Sequence, residues 1–256
     1  MKTKYDLHVK DCLELRDSEG FSLIYMDPPY SYKGEDTYYG VGDNLHDYLD
    51  FMSDRLRVMQ ELMLPDANIV VHVDYKCVHN LRVLMDSIFG RENFRNEIIW
   101  GFSNPASSKK WLPRKHQNLL WYGIGNYTYN EQRVPYKTKM NVGGKTAWSK
   151  EKIPWEEYEA KGKILEDWWM DIPAICRNEP EKTGYATQKP LDLMKRVVQL
   201  WSNDGDRVCD PFMGSGSFIE AAMRLGRHPV GCDISNEAAG IAEERCRRAI
   251  QQDVFL

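Results

Sequence analysis

The chain has 256 residues, 42% apolar and 28% charged, enough at roughly 150 residues per domain for one large α/β unit with at most a small insert, and too ordered in composition for wholesale disorder. Apolar runs stay as short as Ile69-Val70-Val71, far below the ~18 residues of a membrane span, and no apolar signal-peptide core follows Lys2 and Lys4; a soluble, cytoplasmic protein without membrane partners is expected. A net charge of −4 by itself argues against a polyanionic partner.

In chain order, Phe21-Ser22-Leu23-Ile24-Tyr25-Met26 has the continuous apolar character of a buried parallel strand, and Asp27-Pro28-Pro29-Tyr30 must end it. The polar, glycine-containing stretch from Ser31 to Asp43 reads as a mobile loop. Leu45, Tyr48, Leu49, Met52, Leu56, Met59 and Met63 then recur at helical spacing, with an end near Pro65. Asn68 to Val73 is a second strand, and Lys76 to Phe89 a second helix closed by Gly90. Glu97 to Trp100 and Asn118 to Tyr122 read as further strands. From Gly123 to about Pro180 the periodicity fades into a less regular subdomain. Regular signals resume with a helix from Pro190 to Trp201, a strand Arg207-Val208-Cys209, a glycine turn, a helix, a strand from Pro229 to Asp233 and a last helix ending near Ile250. Strands alternating with helices imply a doubly wound, mostly parallel sheet.

The charge is unevenly spread. Residues 101–150 hold nine basic residues (Lys109, Lys110, Arg114, Lys115, Arg133, Lys137, Lys139, Lys145 and Lys150) against one acid, Glu131, so this window carries +8 and the other 206 residues −12. Seven of the eight tryptophans lie between Trp100 and Trp169. Basic side chains neutralise phosphates and aromatic faces stack on unpaired bases, although a solvated insert with its own aromatic core would look the same. Within it, Lys109, Lys110, Arg114, Lys115 and His116 are the DNA-binding candidates, and Pro113 makes a loop more plausible there than a recognition helix.

The six cysteines contain no C-x-x-C pair and read as reduced, small hydrophobes. His72, Cys77 and His79 could be imagined as metal ligands, but no fourth ligand is offered and no metal is expected.

Two motifs carry chemistry. Gly214-Ser215-Gly216 sits between a strand and a helix, where absent side chains admit a ligand to the helix N-terminus. Ile219 occupies the third glycine of a dinucleotide fingerprint, and no Lys-Ser/Thr pair makes a P-loop, so a nucleoside-binding turn remains. Asp233, nineteen residues after Gly214, could accept the ribose hydroxyls or cap the last helix beside Ser235. The second motif is Asp27-Pro28-Pro29-Tyr30. A carboxylate and a proline-directed carbonyl accepting both N–H bonds of an exocyclic amine would return electron density to its nitrogen. Tyr30 would offer a face for stacking an extruded base. An ordinary strand-ending turn has similar composition.

Asp27-Pro28-Pro29-Tyr30 followed about 180 residues later by Asp210-Pro211-Phe212-Met213-Gly214-Ser215-Gly216-Ser217 resembles the β class of DNA amino-methyltransferases. Lys10-Asp11-Cys12 resembles that family's contact to the cofactor adenine. Asn96 to Trp100 resembles the lead into its target-recognition region, and Thr187-Gln188-Lys189-Pro190 the opening of the helix beside the methionine moiety. The likeness spans roughly residues 5 to 250. Ser217 stands where the family often has Thr, and Ala238 and Ala239 where it often has an aromatic residue. The chain ends six residues past Ile250, so no further C-terminal DNA-binding domain is expected.

The resemblance implies a Rossmann-like methyltransferase fold of permuted order with an inserted target-recognition subdomain. Residues 1–100 would form the catalytic half of the core, 101–185 the insert and 186–256 the half that binds S-adenosylmethionine. Asp27, Pro28, Pro29 and Tyr30 would be catalytic. Asp11, Cys12, Asp27, Thr187, Gln188, Lys189, Asp210, Pro211, Phe212, Gly214, Ser215, Gly216, Ser217 and Asp233 would bind the cofactor. The expected reaction is methyl transfer to adenine N6 in double-stranded DNA. Alternatives are cytosine N4, an RNA or nucleotide acceptor, or a catalytically silent DNA-binding relative. A homodimer and a cognate restriction enzyme are further candidate partners.

Overall fold

The computed structural model describes residues 5–30, 44–103, 108–135, 155–176 and 179–253. The loop expected from Ser31 to Asp43, and Lys137, Lys139, Lys145 and Lys150 of the basic window, lie outside the described residues. The elements are β1 (Asp6–Val9), β2 (Phe21–Met26), α1 (Leu45–Leu62), β3 (Met63–Val73), α2 (Val78–Phe89), β4 (Phe94–Gly101), β5 (His116–Gly123), β6 (Arg133–Val134), α3 (Trp155–Lys161), β7 (Lys163–Ile164), β8 (Trp168–Trp169), α4 (Leu191–Trp201), β9 (Arg207–Asp210), α5 (Ser217–Arg224), β10 (His228–Asp233) and α6 (Asn236–Asp253).

One eight-stranded sheet runs β1-β10-β9-β2-β3-β5-β4-β8. The first five strands are parallel. β5 is antiparallel to both β3 and β4, and β8 joins β4 in parallel. Alternate residues of β2 explain why it is apolar without a break from Leu23 to Met26. Ile24 and Met26 pack with Met52, Leu56 and Met59 of α1 and Leu81 and Met85 of α2. Leu23 and Tyr25 face the other layer, with Val197 of α4, Phe218 of α5 and Ala242 of α6. Both faces are covered, so the strand is apolar apart from the half-buried Ser22, whose Oγ donates to Arg207 O at 3.1 Å.

Element boundaries move only slightly from the expectation. α1 stops at Leu62, and the backbone is already extended through Pro65 in the exposed first part of β3. Pro190 is the N-cap of α4 instead of its first turn. The larger finding concerns residues 101–185. β4 runs across position 101, and β5 and β8 are strands of the core sheet, so this stretch is interwoven with the core at its apolar positions. The tryptophans divide accordingly. Trp100, Trp121 and Trp169 are buried, with Trp100 Nε1 donating to Ile172 O at 2.9 Å and Trp121 Nε1 to Asn68 Oδ1 at 2.8 Å. Trp111 and Trp168 are exposed. Much of the aromatic enrichment is therefore core packing at the sheet's antiparallel end.

β9 leads through α5 to β10 on one side, while its neighbour β2 leads through α1 to β3 on the other. The connections diverge at this pair, and their carboxyl ends frame the crevice where open α/β sheets bind ligands.

Candidate active site

Asp27 follows the last residue of β2, and Asp210 ends β9 beside it; Ile24 is paired with Cys209. Two segments far apart in sequence thus reach one crevice, a cavity of about 360 Å³ lined by Asp27, Pro28, Pro29 and Tyr30 together with Gly214, Ser215, Ser217 and Asp233. Tyr185, Thr187 and Lys189 close a third side.

The Asp27 carboxylate is held from two directions. Tyr30 Oη donates to Oδ1, and Lys189 Nζ pairs with Oδ2. Lys189 is 8% exposed at its side chain and Asp27 16%, so this pair is largely removed from water. The Lys189 ammonium also stands 5.1 Å from the centre of the Tyr30 ring. Burial and the neighbouring Asp27 charge push the Tyr30 phenol well above its ordinary value, which keeps it a hydrogen-bond donor. Beneath them, Tyr25 stacks on Phe218 at 5.2 Å, and its hydroxyl lies 2.7 Å from His72 Nδ1. Burial first, then the Lys189 charge, pulls His72 down to about 3, so it is a neutral core histidine. Cys77 is buried and His79 exposed on α2.

The opposite wall is made of backbone. Gly214 has φ +47° and Gly216 φ +75°, values that L side chains rarely adopt. A Cβ at Gly216 would lie 2.8 Å from Ala242 Cβ on α6, so glycine there lets two helices approach. Asp233 Oδ2 accepts from Gly214 N–H at 3.0 Å and Oδ1 from Ser235 N–H at 2.9 Å. Asp233 therefore does cap the turn before α6, while still lining the cavity. Burial raises Asp233 and, more strongly, Asp210, which also feels Asp27 and Asp233. Burial and the neighbouring acids thus disfavour the charged form of Asp210 beside the Asp27–Lys189 pair.

The remaining predicted residues fall in three places. Asp11, Cys12, Pro211 and Phe212 line a smaller hollow that shares Phe212 and Asp233 with the main cavity. Asp11 there binds Arg55 Nη2 at 2.6 Å, and Phe51 and Phe212 supply aromatic cover at a ring separation of 6.3 Å. Ser217 Oγ donates to Lys189 O at 2.8 Å, tying the start of α5 to the strand of residues before α4. Gln188 does not line the main cavity. Its Oε1 accepts from Thr183 N–H and Oγ1, both at 2.8 Å, and its Nε2 donates to Glu181 O at 2.7 Å, so its amide shapes the loop. Lys109, Lys110 and Arg114 are exposed in a non-helical segment, as Pro113 required, and His116 begins β5.

Sequence reading missed the Lys189–Asp27 pair, and it missed Tyr25, Tyr185 and Phe218 as cavity walls. The strand position of Tyr25, two before Asp27, was the one usable signal. A second cavity of about 340 Å³ shares Tyr30, Tyr185, Thr187 and Lys189 with the first, and Trp100, Phe102, Gln117 and Gln188 are among its other walls. Among the described residues no cluster of three or more His, Cys, Asp or Glu could hold a metal ion, and no helix is long and apolar enough to cross a membrane.

The N6/N4 family model described as DNA methylase matches residues 21–244, and the chain belongs to that family. It is 27% identical to the type II methyltransferase M.EcaI of Enterobacter cloacae, over 87% of this chain and 64% of that protein, so it spans less than two thirds of that relative. A protein of Thermus thermophilus assigned as a DNA modification methylase, solved with S-adenosyl-L-methionine, superposes with a TM-score of 0.64 at 23% identity, covering 96% of this chain and 94% of the other. The cytosine-N4-specific PvuII DNA methyltransferase gives 0.66 at 18% identity, covering 98% and 93%. The mixed α/β sheet is thus a methyltransferase fold.

Proposed function

We propose that the protein transfers a methyl group from S-adenosylmethionine to an exocyclic amine of a base in double-stranded DNA, with adenine N6 as acceptor. The observation that carries this reading is that Asp27 with Pro28, and the glycine turn with Asp233, line one cavity at the divergence of β2 and β9. The residues fit the cofactor. Asp233 with Gly214 and Ser215 would hold its nucleoside, Asp11 and Cys12 beside Phe51 and Phe212 its adenine, and Thr187, Ser217 and Asp210 its methionine end. When bound, S-adenosylmethionine supplies a methyl group already activated on a sulfonium.

The chain's own contribution is positioning and electrostatics. The Asp27 carboxylate and the Pro28 carbonyl accept the two N–H bonds of the amine and aim its lone pair. Lys189 and Tyr30 hold that carboxylate in one orientation, and the Tyr30 ring stacks on the extruded base. Asp, not Ser, ahead of Pro-Pro-Tyr is what favours adenine. The same geometry would serve cytosine N4, which the likeness to the PvuII enzyme supports. Target recognition falls to the parts of residues 101–185 outside the sheet, with Lys109, Lys110, Arg114 and Lys115 on phosphates. The type II names among the relatives point to a restriction enzyme of the same specificity as partner.

The test is a nucleoside digest of duplex DNA incubated with the protein and methyl-labelled S-adenosylmethionine. N6-methyladenine is expected. N4-methylcytosine would move the acceptor, label in RNA alone would change the substrate class, and no label would leave a DNA-binding relative.

A further inference from the structure

We infer that Trp111 and Leu112 form an apolar wedge that enters the base stack of duplex DNA at the point where the target base leaves it. The inference rests on the reading of the protein as a DNA methyltransferase and assigns the element that opens the helix.

The placement follows from the strand register. β4 and β5 are antiparallel, with Gly101 opposite His116, and β5 is antiparallel to β3, with Val73 opposite Asn118. Residues 102–103, which leave β4, and 108–115, which enter β5, therefore lie at the edge at which β2 and β3 end, the edge that carries Asp27. Leu112 is 87% exposed and Trp111 58%. Lys109, Lys110 and Arg114 are exposed around them, with Lys115 half-buried. An exposed apolar pair flanked in sequence by exposed cations matches a partner that is anionic outside and apolar between its layers, which describes a nucleic-acid duplex. A second copy of the same tip would set cations against cations.

The tip is also supported. Ser108 Oγ accepts from the N–H groups of Lys110 and Trp111 at 3.2 and 3.3 Å. The Arg114 guanidinium lies 4.1 Å over the Tyr75 ring, donates to Tyr75 Oη at 2.6 Å, and stands 5.7 Å from the Trp111 ring. This stack ties the tip to the turn after β3. At the other end of the same two strands, Trp100, Phe102 and Gln117 are among the residues that wall the second cavity beside Tyr30. The segment entering β5 thus presents Trp111 and Leu112 to solvent, and the strands it joins wall a pocket beside Tyr30. Side chains filling the gap in the stack would replace contacts that the departing base gives up.

The experiment compares the wild type with the Trp111→Ala/Leu112→Ala double variant on two substrates. One is a matched duplex carrying the site identified by long-read sequencing of methylated DNA; the other has an abasic position opposite the target base, so that extrusion needs no unpairing. On the matched duplex kcat/KM should fall by about tenfold or more, while on the abasic duplex it should stay within about threefold. A 2-aminopurine at the target position should brighten with the wild type and not with the variant. Equal loss on both substrates would make the tip a grip, and no loss on either would make it plain surface; each overturns the wedge. Loss on both together with a sedimentation change from dimer to monomer would reassign the tip to self-association. A wild type inactive on both duplexes would instead defeat the functional reading, which separates the two failures.

Discussion

The two walls of the cavity are built by different means. At the end of β9 the wall is backbone: glycines at positive φ and a turn whose Gly214 N–H is bound by Asp233. At the end of β2 it is side chains: Asp27 held between Tyr30 and Lys189, above Tyr25 and His72. A backbone wall is set once the strands and helices pack, and it suits a ligand that is the same in every cycle. A wall of hydrogen-bonded charges depends on each partner and can place an acceptor lone pair to a fraction of an ångström. On the proposed function, binding would fall to the first wall and chemistry to the second, and substitutions should fail in different ways.

The largest effect is expected at Asp27. Asp27→Ala should lower methyl transfer by about a hundredfold or more, ~2.8 kcal/mol of barrier, with S-adenosylmethionine affinity little changed. Retention of more than about a tenth of the rate in a labelled-methyl assay would end its assigned role. Asp233→Ala should do the reverse, weakening cofactor binding by about 1.5–3 kcal/mol in calorimetry, since a charged acceptor is lost and Gly214 N–H is left unpaired. Unchanged affinity would leave Asp233 as a cap alone. Gly216→Ala tests the backbone wall directly. Its new Cβ would sit 2.8 Å from Ala242 Cβ and 2.9 Å from Ala242 Cα, in an unfavourable φ, and thermal unfolding should show a loss of about 1–3 kcal/mol.

The side-chain wall should also make stability depend on pH. His72 is held at about 3 by burial, against an ordinary 6.5. Above pH 6.5 both folded and unfolded chains carry it neutral. Between 6.5 and about 3 only the unfolded chain takes up the proton, so stability falls as pH drops through that window, by at most about 1.4 kcal/mol per pH unit. Asp210 and Asp233, raised by burial, act in the opposite sense, because the folded chain protonates them first. Denaturation of His72→Asn at pH 7 and 5 isolates the histidine, and a slope equal to wild type would contradict its assignment. The smallest effect is expected outside both walls. Lys109→Ala should reduce the salt slope of log K for DNA by about 1 and weaken all sequences alike, whereas Arg114→Ala should also lose the packing on Tyr75. An unchanged slope for both would make this segment solvated surface.

What could be read from residues alone was whatever is local in the chain. The β2 strand, the helical spacing of α1, the Pro-Pro stop after Asp27 and the Gly214-Ser215-Gly216 turn each express a steric or periodic rule acting over a few neighbours. Pro113 excluded a helix for the same reason. Pairings across the fold were not legible. Nothing near Lys189 in sequence announces Asp27 as its partner, and Gln188 in the same motif binds Thr183 and Glu181 and lines the second cavity instead of the main one. Nor could composition tell a tryptophan meant for the core from one meant for solvent. Trp100, Trp121 and Trp169 are buried because β5 returns into the sheet between β3 and β4 and β8 adds to its edge, while Trp111 lies on the loop between β4 and β5. The choice of partner for a long side chain depends on which strands lie beside its own, and strand order is decided by the burial of the whole apolar set at once.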